Sequence, residues 1–262
     1  MGLRTSAKKG LKKGLLVLGS TIAAGTCFTG GYDAPERYAL MISGATEDRD
    51  IADLSLAYET LLEKGFKKEN IYILDSDGVE AWDYPVFGTA SKKDIIKAIG
   101  ELEKKVTSND LFFLFTTDHG NRVEKSLFGL IDYEISTFVL GGDEEISQLE
   151  LAAELERVKP SLGIYLFDQC YSGGFAEQFG GKNIVAIASS KADELAWGDE
   201  GDTMGYHFLD AFMKYTADEN EDGKVSIKEA FDYMLKNHTK TIGGDQTPFI
   251  KSDIDPDKIF LK

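Results

Sequence analysis

One cysteine and one histidine of this 262-residue chain sit where nucleophilic chemistry is usually staged. Cys170 follows the apolar run 164–167 and Asp168, and precedes Gly173-Gly174. His119 follows the apolar run Leu111–Thr117 and Asp118, and precedes Gly120. A thiol needs a base to become a nucleophilic thiolate. Imidazole accepts that proton and later returns it to a leaving amine, which is the chemistry of acyl transfer. Backbone N–H groups in the turns at Gly120 and Cys170 are candidates to hold the oxyanion. No Gly-x-Ser-x-Gly elbow is present, which disfavours a serine hydrolase.

A second chemical motif spans residues 218–229, reading DENEDGKVSIKE. It matches an EF-hand loop, with Asp218, Asn220, Asp222, the Lys224 carbonyl, Ser226 and Glu229 as oxygen ligands and Gly223 at the sharp turn. The expected cofactor is therefore Ca²⁺, structural and secondarily activating. So many oxygens do not favour Mg²⁺, and no organic cofactor is expected. His207 and His238 lack ligand spacing and read as helix-surface or interface residues.

The elements that must position these groups follow from the hydrophobic pattern. Apolar runs at Arg37–Ser43, 70–74, Leu111–Thr117, Leu162–Phe167 and 183–188 read as strands. Helical stripes lie between them: Ile51, Leu54, Tyr58 and Leu61, then Ile95, Ile99 and Leu102. Ser91 with Asp94 and Ser147 with Glu150 read as capping boxes, the second helix running to about Val158. Residues 126–132 and 136–140 are candidate short strands of a hairpin. Alternating strands and helices, with strands apolar throughout, predict an α/β fold: a mostly parallel sheet with helices on both faces. An EF-hand-like loop is appended near its C-terminus.

Residues 1–13 carry five cations and no acid, and an uncharged apolar run and small residues follow. This is the pattern of a secretory signal over residues 1–26, leaving 27–262 as one catalytic domain. The expected location is therefore secreted or cell envelope. The formal charge of −16 argues against nucleic acid or an anionic membrane as partner. A protein or peptide substrate is the partner implied, and the sequence does not determine oligomeric state.

The order strand–Thr117-Asp118-His119-Gly120, helix, strand–Asp168-Gln169-Cys170-Tyr171-Ser172-Gly173 resembles the legumain family of cysteine peptidases, within the caspase-like group. The similarity runs from about Tyr38 to about Asp253. It implies a caspase/haemoglobinase-like fold, Cys170 as nucleophile and His119 as base. It further implies Gly120 N–H at the oxyanion site and Asp118 as the acid beside the histidine. Arg49, Asp168 and Ser189 would bind substrate, with Arg49 and Asp168 pairing the two ends of an asparagine side-chain amide. Cleavage after Asn (or Asp) is the expectation. Glu47 stands where legumains carry a histidine-orienting asparagine, or that residue is displaced. Asp168 is shorter than the usual glutamate. In clostripain-like and metacaspase-like peptidases an aspartate there accompanies Arg/Lys specificity, so that reading and transamidation remain alternatives. A non-enzymatic Ca²⁺-dependent binding module on the same scaffold is the alternative of another class.

Overall fold

The computed structural model describes residues 34–78, 84–128, 130–238 and 246–261. The predicted signal segment lies outside the described residues. In chain order the strands of the main sheet are β1 (Arg37–Ser43), β2 (Ile71–Asp75), β3 (Gly88–Thr89), β4 (Leu111–Thr117), β8 (Leu162–Asp168), β9 (Ile184–Ala188) and β10 (Phe249–Lys251). Their spatial order is β10-β9-β8-β4-β1-β2-β3, parallel except for β10. Beside it, β5 (Gly120–Leu127), β6 (Ile131–Val139) and β7 (Glu145–Ser147) form an antiparallel three-stranded sheet. The hairpin predicted at 126–132 and 136–140 is therefore two longer strands. Its turn falls inside the first predicted strand, because Gly120↔Phe138 through Leu127↔Ile131 pair along the full length.

The central strands are apolar on both faces because both are covered. Along β1, β4 and β8, alternate residues enter separate cores. Ala39, Met41, Phe113, Phe115, Ile164 and Leu166 face α1 (Asp48–Glu63), α5 (Met204–Ala211) and α6 (Ile227–Asn237). Leu40, Ile42, Phe112, Leu114, Tyr165 and Phe167 face α2 (Lys92–Lys105), α3 (Gln148–Leu155) and α4 (Gly173–Phe179). Each of the buried Leu, Ile, Met and Phe side chains contributes about 1.5–3 kcal/mol, so the register of these strands is strongly specified.

Local signals start the helices. Ser147 and Glu150 form the reciprocal capping box of α3, which ends at Leu155, short of Val158. Ser91 caps α2 by accepting from Asp94 N–H, but the Asp94 carboxylate turns to Thr89 and leaves that box one-sided. Among the described residues no helix is long and apolar enough to cross a membrane.

The sheet changes direction between β1 and β4: the chain proceeds from β1 to β2 and β3 on one side, and from β4 to β8 and β9 on the other. Open parallel sheets place their ligands beyond the carboxyl ends of the strands at such a point. Here the register aligns Ser43 with Thr117 and Thr117 with Asp168.

Candidate active site

That row of strand ends delivers three groups to one place. His119 lies two residues past Thr117 and Cys170 two residues past its partner Asp168, so equal offsets on adjacent strands bring both to the same end of the sheet. Neighbouring strands are about 4.8 Å apart. Arg49 arrives from the first turn of α1, just after β1. All three line a cleft of about 240 Å³ with Thr117, Asp118, Asp168 and Gln169. Its remaining wall comes from Leu195, Ala196, Trp197, Gly198 and Thr203 in the segment after β9.

Cys170 Sγ lies 3.4 Å from Ala196 N–H, which donates to it, and 3.5 Å from the Ala196 carbonyl. His119 is largely exposed to the cleft, with Nε2 3.9 Å from Asp118 Oδ1. Asp118 is buried in a left-handed backbone conformation (φ 132°). Burial raises its carboxyl pKa, and His119 and Arg49 oppose that shift. Gly120 packs against the backbone of Cys170: a Cβ there would stand 2.1 Å from the Cys170 carbonyl oxygen. Tyr171 is also left-handed (φ 60°), and its N–H donates to the Glu194 carbonyl, tying the nucleophile's turn to the cleft wall.

The floor of the cleft is acidic and buried. Asp168 Oδ2 accepts from Gly205 N–H at 2.6 Å. Behind it, Asp53 accepts from Thr117 Oγ1 and Thr203 Oγ1 at 2.9 Å each. Burial raises both carboxyls above the usual range, and the charge of Asp168 raises Asp53 further. Asp50, beside Arg49, is pushed up to about 7 by burial, with Arg49 opposing. The Arg49 guanidinium has Glu47, Asp50 and Asp118 within 3.3, 3.5 and 3.8 Å. Its buried Nε and Nη2 nevertheless make no hydrogen bond. Ser189 sits one layer back, bonding to Ser172 Oγ at 3.2 Å and supporting Asp168 rather than lining the cleft. The position of the 189–203 segment after the fifth predicted strand makes it the expected cleft wall, and Trp197 and Thr203 come from it, whereas no motif marks Asp53 as part of the floor. Only the helix position of Asp53, one turn past Arg49, hinted at its place.

Residues 218–229 adopt a closed loop whose side-chain oxygens accept from its own backbone. Gly223 N–H donates to Asp218 Oδ2 at 2.8 Å, and Asp222 N–H to Asn220 Oδ1 at 2.9 Å. Asn220 and Ser226 N–H donate to the two oxygens of Glu229. Lys224 N–H donates to Asp222 Oδ1, and Ser226 caps α6. The C-terminal segment pairs with the loop, through a bridge between Ser226 and Phe260. The carboxylates of Asp218, Asp222 and Glu229 do not converge within 4.8 Å. Among the described residues that closeness is met only by Asp202, His207 and His238. Of the two readings of His207 and His238, surface or interface, the structure supports the second: the packing of α5 on α6 brings their rings to 6.2 Å, and the His238 side chain is only 2% exposed.

A mostly parallel sheet covered by helices on both faces, with a cysteine and a histidine just beyond adjacent strand ends, fits the caspase-like fold of a cysteine peptidase. The chain belongs to the peptidase C13 family, whose model matches residues 89–247. No curated protein matches. The crystal structure of protein GSU0716 from Geobacter sulfurreducens superposes with a TM-score of 0.60 at 17% identity, covering 86% of this chain and 97% of that one. At that identity the likeness is one of fold.

Proposed function

We propose that the protein is an exported endopeptidase that acylates Cys170 and cleaves after asparagine or aspartate. The register that sets Thr117 against Asp168 carries this reading, since it places His119 and Cys170 on one cleft. His119 accepts the thiol proton, and the thiolate adds to the scissile carbonyl. The oxyanion takes backbone N–H, with Gly120 the donor implied by the resemblance. His119 then protonates the departing amine, and water (or a second amine, in transamidation) attacks the thioester. Asp118 orients the imidazole. Arg49 donates to the side-chain oxygen of the residue before the scissile bond, and Asp168 accepts from its amide nitrogen. A positional peptide library, read with and without Ca²⁺ beside a Cys170→Ala control, tests the assignment. Hydrolysis that survives the control would refute it.

Gly120→Ala tests the close approach of the two catalytic turns. The added methyl must displace the Cys170 backbone, and a shift of about 1 Å at reacting groups costs on the order of 10²-fold in rate. The expected result is that loss in kcat/KM while the chain remains folded by circular dichroism. Unchanged turnover would mean that the two turns do not act together.

We also assign Ca²⁺ to Asp218, Asn220, Asp222, the Lys224 carbonyl, Ser226 and Glu229. Support comes from the ligand pattern and from the sharp turn at Gly223 (φ 84°) that the pattern requires. Because the ion binds the folded chain, a few hundred-fold excess over Kd should add roughly 3–4 kcal/mol of stability. Melting in Ca²⁺, Mg²⁺ and chelator checks it: the expected rise is specific to Ca²⁺ and lost in Glu229→Ala. An equal melting temperature in all three removes the assignment.

A further inference from the structure

We propose that Asp202, His207 and His238 form a second metal site, for a borderline transition ion of the Zn²⁺ type, behind the wall of the cleft. Asp202 Oδ1 lies 2.8 Å from His207 Nε2 and 3.4 Å from His238 Nδ1, and one ligand atom from each residue falls within 4.8 Å of the others. In a tetrahedral site with bonds near 2.0–2.1 Å, ligand atoms are about 3.3–3.4 Å apart. Small rotations of the side chains therefore suffice to admit an ion, and water completes the fourth position.

The independent observation is His238. Its side chain is 2% exposed, yet neither ring nitrogen has a hydrogen-bond partner. A buried imidazole without a partner is costly, and ligation through Nδ1 supplies one. Two imidazoles and one carboxylate select Zn²⁺ and its neighbours over Ca²⁺ or Mg²⁺, which prefer oxygen alone. The site is thus chemically distinct from the loop at 218–229.

The three ligands come from different parts of the fold: the loop before α5, α5 itself and the end of α6. Asp202 adjoins Thr203, which lines the cleft, caps α5 and bonds to Asp53. Gly205, two residues further on, donates to Asp168. An ion here fastens the wall segment and the support of Asp168 to α6.

Binding is measured on the full-length Cys170→Ala chain, so that the catalytic thiol is not a ligand, and in saturating Ca²⁺, so that the acidic loop is occupied. Titration with Zn²⁺ should show one site, and Co²⁺ should give the visible bands of a tetrahedral ion. In the same background, His207→Gln and His238→Gln should each weaken binding by more than the ~10–100-fold that loss of an outer partner costs. Zn²⁺ should raise the melting temperature only where all three ligands are intact. Melting without metal checks folding, and Asp202→Asn replaces either variant that fails to fold. No binding at millimolar Zn²⁺, or equal affinity with and without the substitutions, would overturn the site. Neither result bears on peptidase activity, which this chain lacks by design.

Discussion

Cys170→Ala is expected to reduce turnover by about 10⁵–10⁶-fold, the scale on which removing a catalytic nucleophile acts. The substitution deletes one half-exposed sulfur from the cleft and leaves the strand pairing of β8 intact, so stability should change little. His119→Ala should lower turnover by about 10²–10⁴-fold, the usual range for a general base. Alkylation of Cys170 should slow in parallel, because the thiolate is the species that reacts. Rates of peptide hydrolysis and of iodoacetamide labelling, followed by mass spectrometry at Cys170, give both quantities. Activity retained in Cys170→Ala would end the nucleophile assignment, and labelling indifferent to His119 would end that of the base.

Arg49→Ala is the second large effect. Its guanidinium lines the cleft and is held by Glu47, Asp50 and Asp118, so a substrate carbonyl or carboxylate meets a donor group already positioned. A hydrogen bond to a charged group contributes about 1.5–3 kcal/mol, which is about 10–150-fold in kcat/KM for Asn substrates. Peptides with Arg or Lys at that position should lose nothing, or gain, once the guanidinium is removed. Strong cleavage after Arg that does not depend on Arg49 would place the protein with the basic-specific relatives.

The pH dependence of this preference has a definite sign. Burial raises the pKa of Asp168 and Asp53, so the pair takes up a proton at a higher pH than an ordinary carboxyl. Deprotonated Asp168 accepts from an asparagine amide and repels an aspartate; protonated, it donates to the aspartate. As pH falls, cleavage after Asp should therefore rise relative to cleavage after Asn. A ratio that stays flat through the acid range would show that Asp168 does not read the substrate. The same raised pKa values mean that these two carboxyls are more stably buried when protonated. Their contribution to folding is present at low pH and declines as pH rises through the folded pKa.

The sequence alone was enough for the central strands, because β1, β4 and β8 are buried on both faces and so appear as unbroken apolar runs. It also carried Cys170 and His119, since each lies within two residues of the end of such a strand, and the acidic pattern at 218–229, whose residues are all local. Elements held by pairing were much less legible. Strands β3 and β10 have two and three residues, too few to show a period, and the β5–β6 hairpin is defined by register across its turn rather than by hydrophobic spacing. The cleft floor was decided by tertiary structure: Asp53, Asp168 and Thr203 meet because α1, the end of β8 and the start of α5 converge. The same holds for Asp202, His207 and His238. A ligand pattern is readable in a sequence when one turn or loop supplies the ligands. These three come together only when α5 and α6 pack over the sheet, driven by Phe208, Leu209, Ala230 and Met234 entering a shared core.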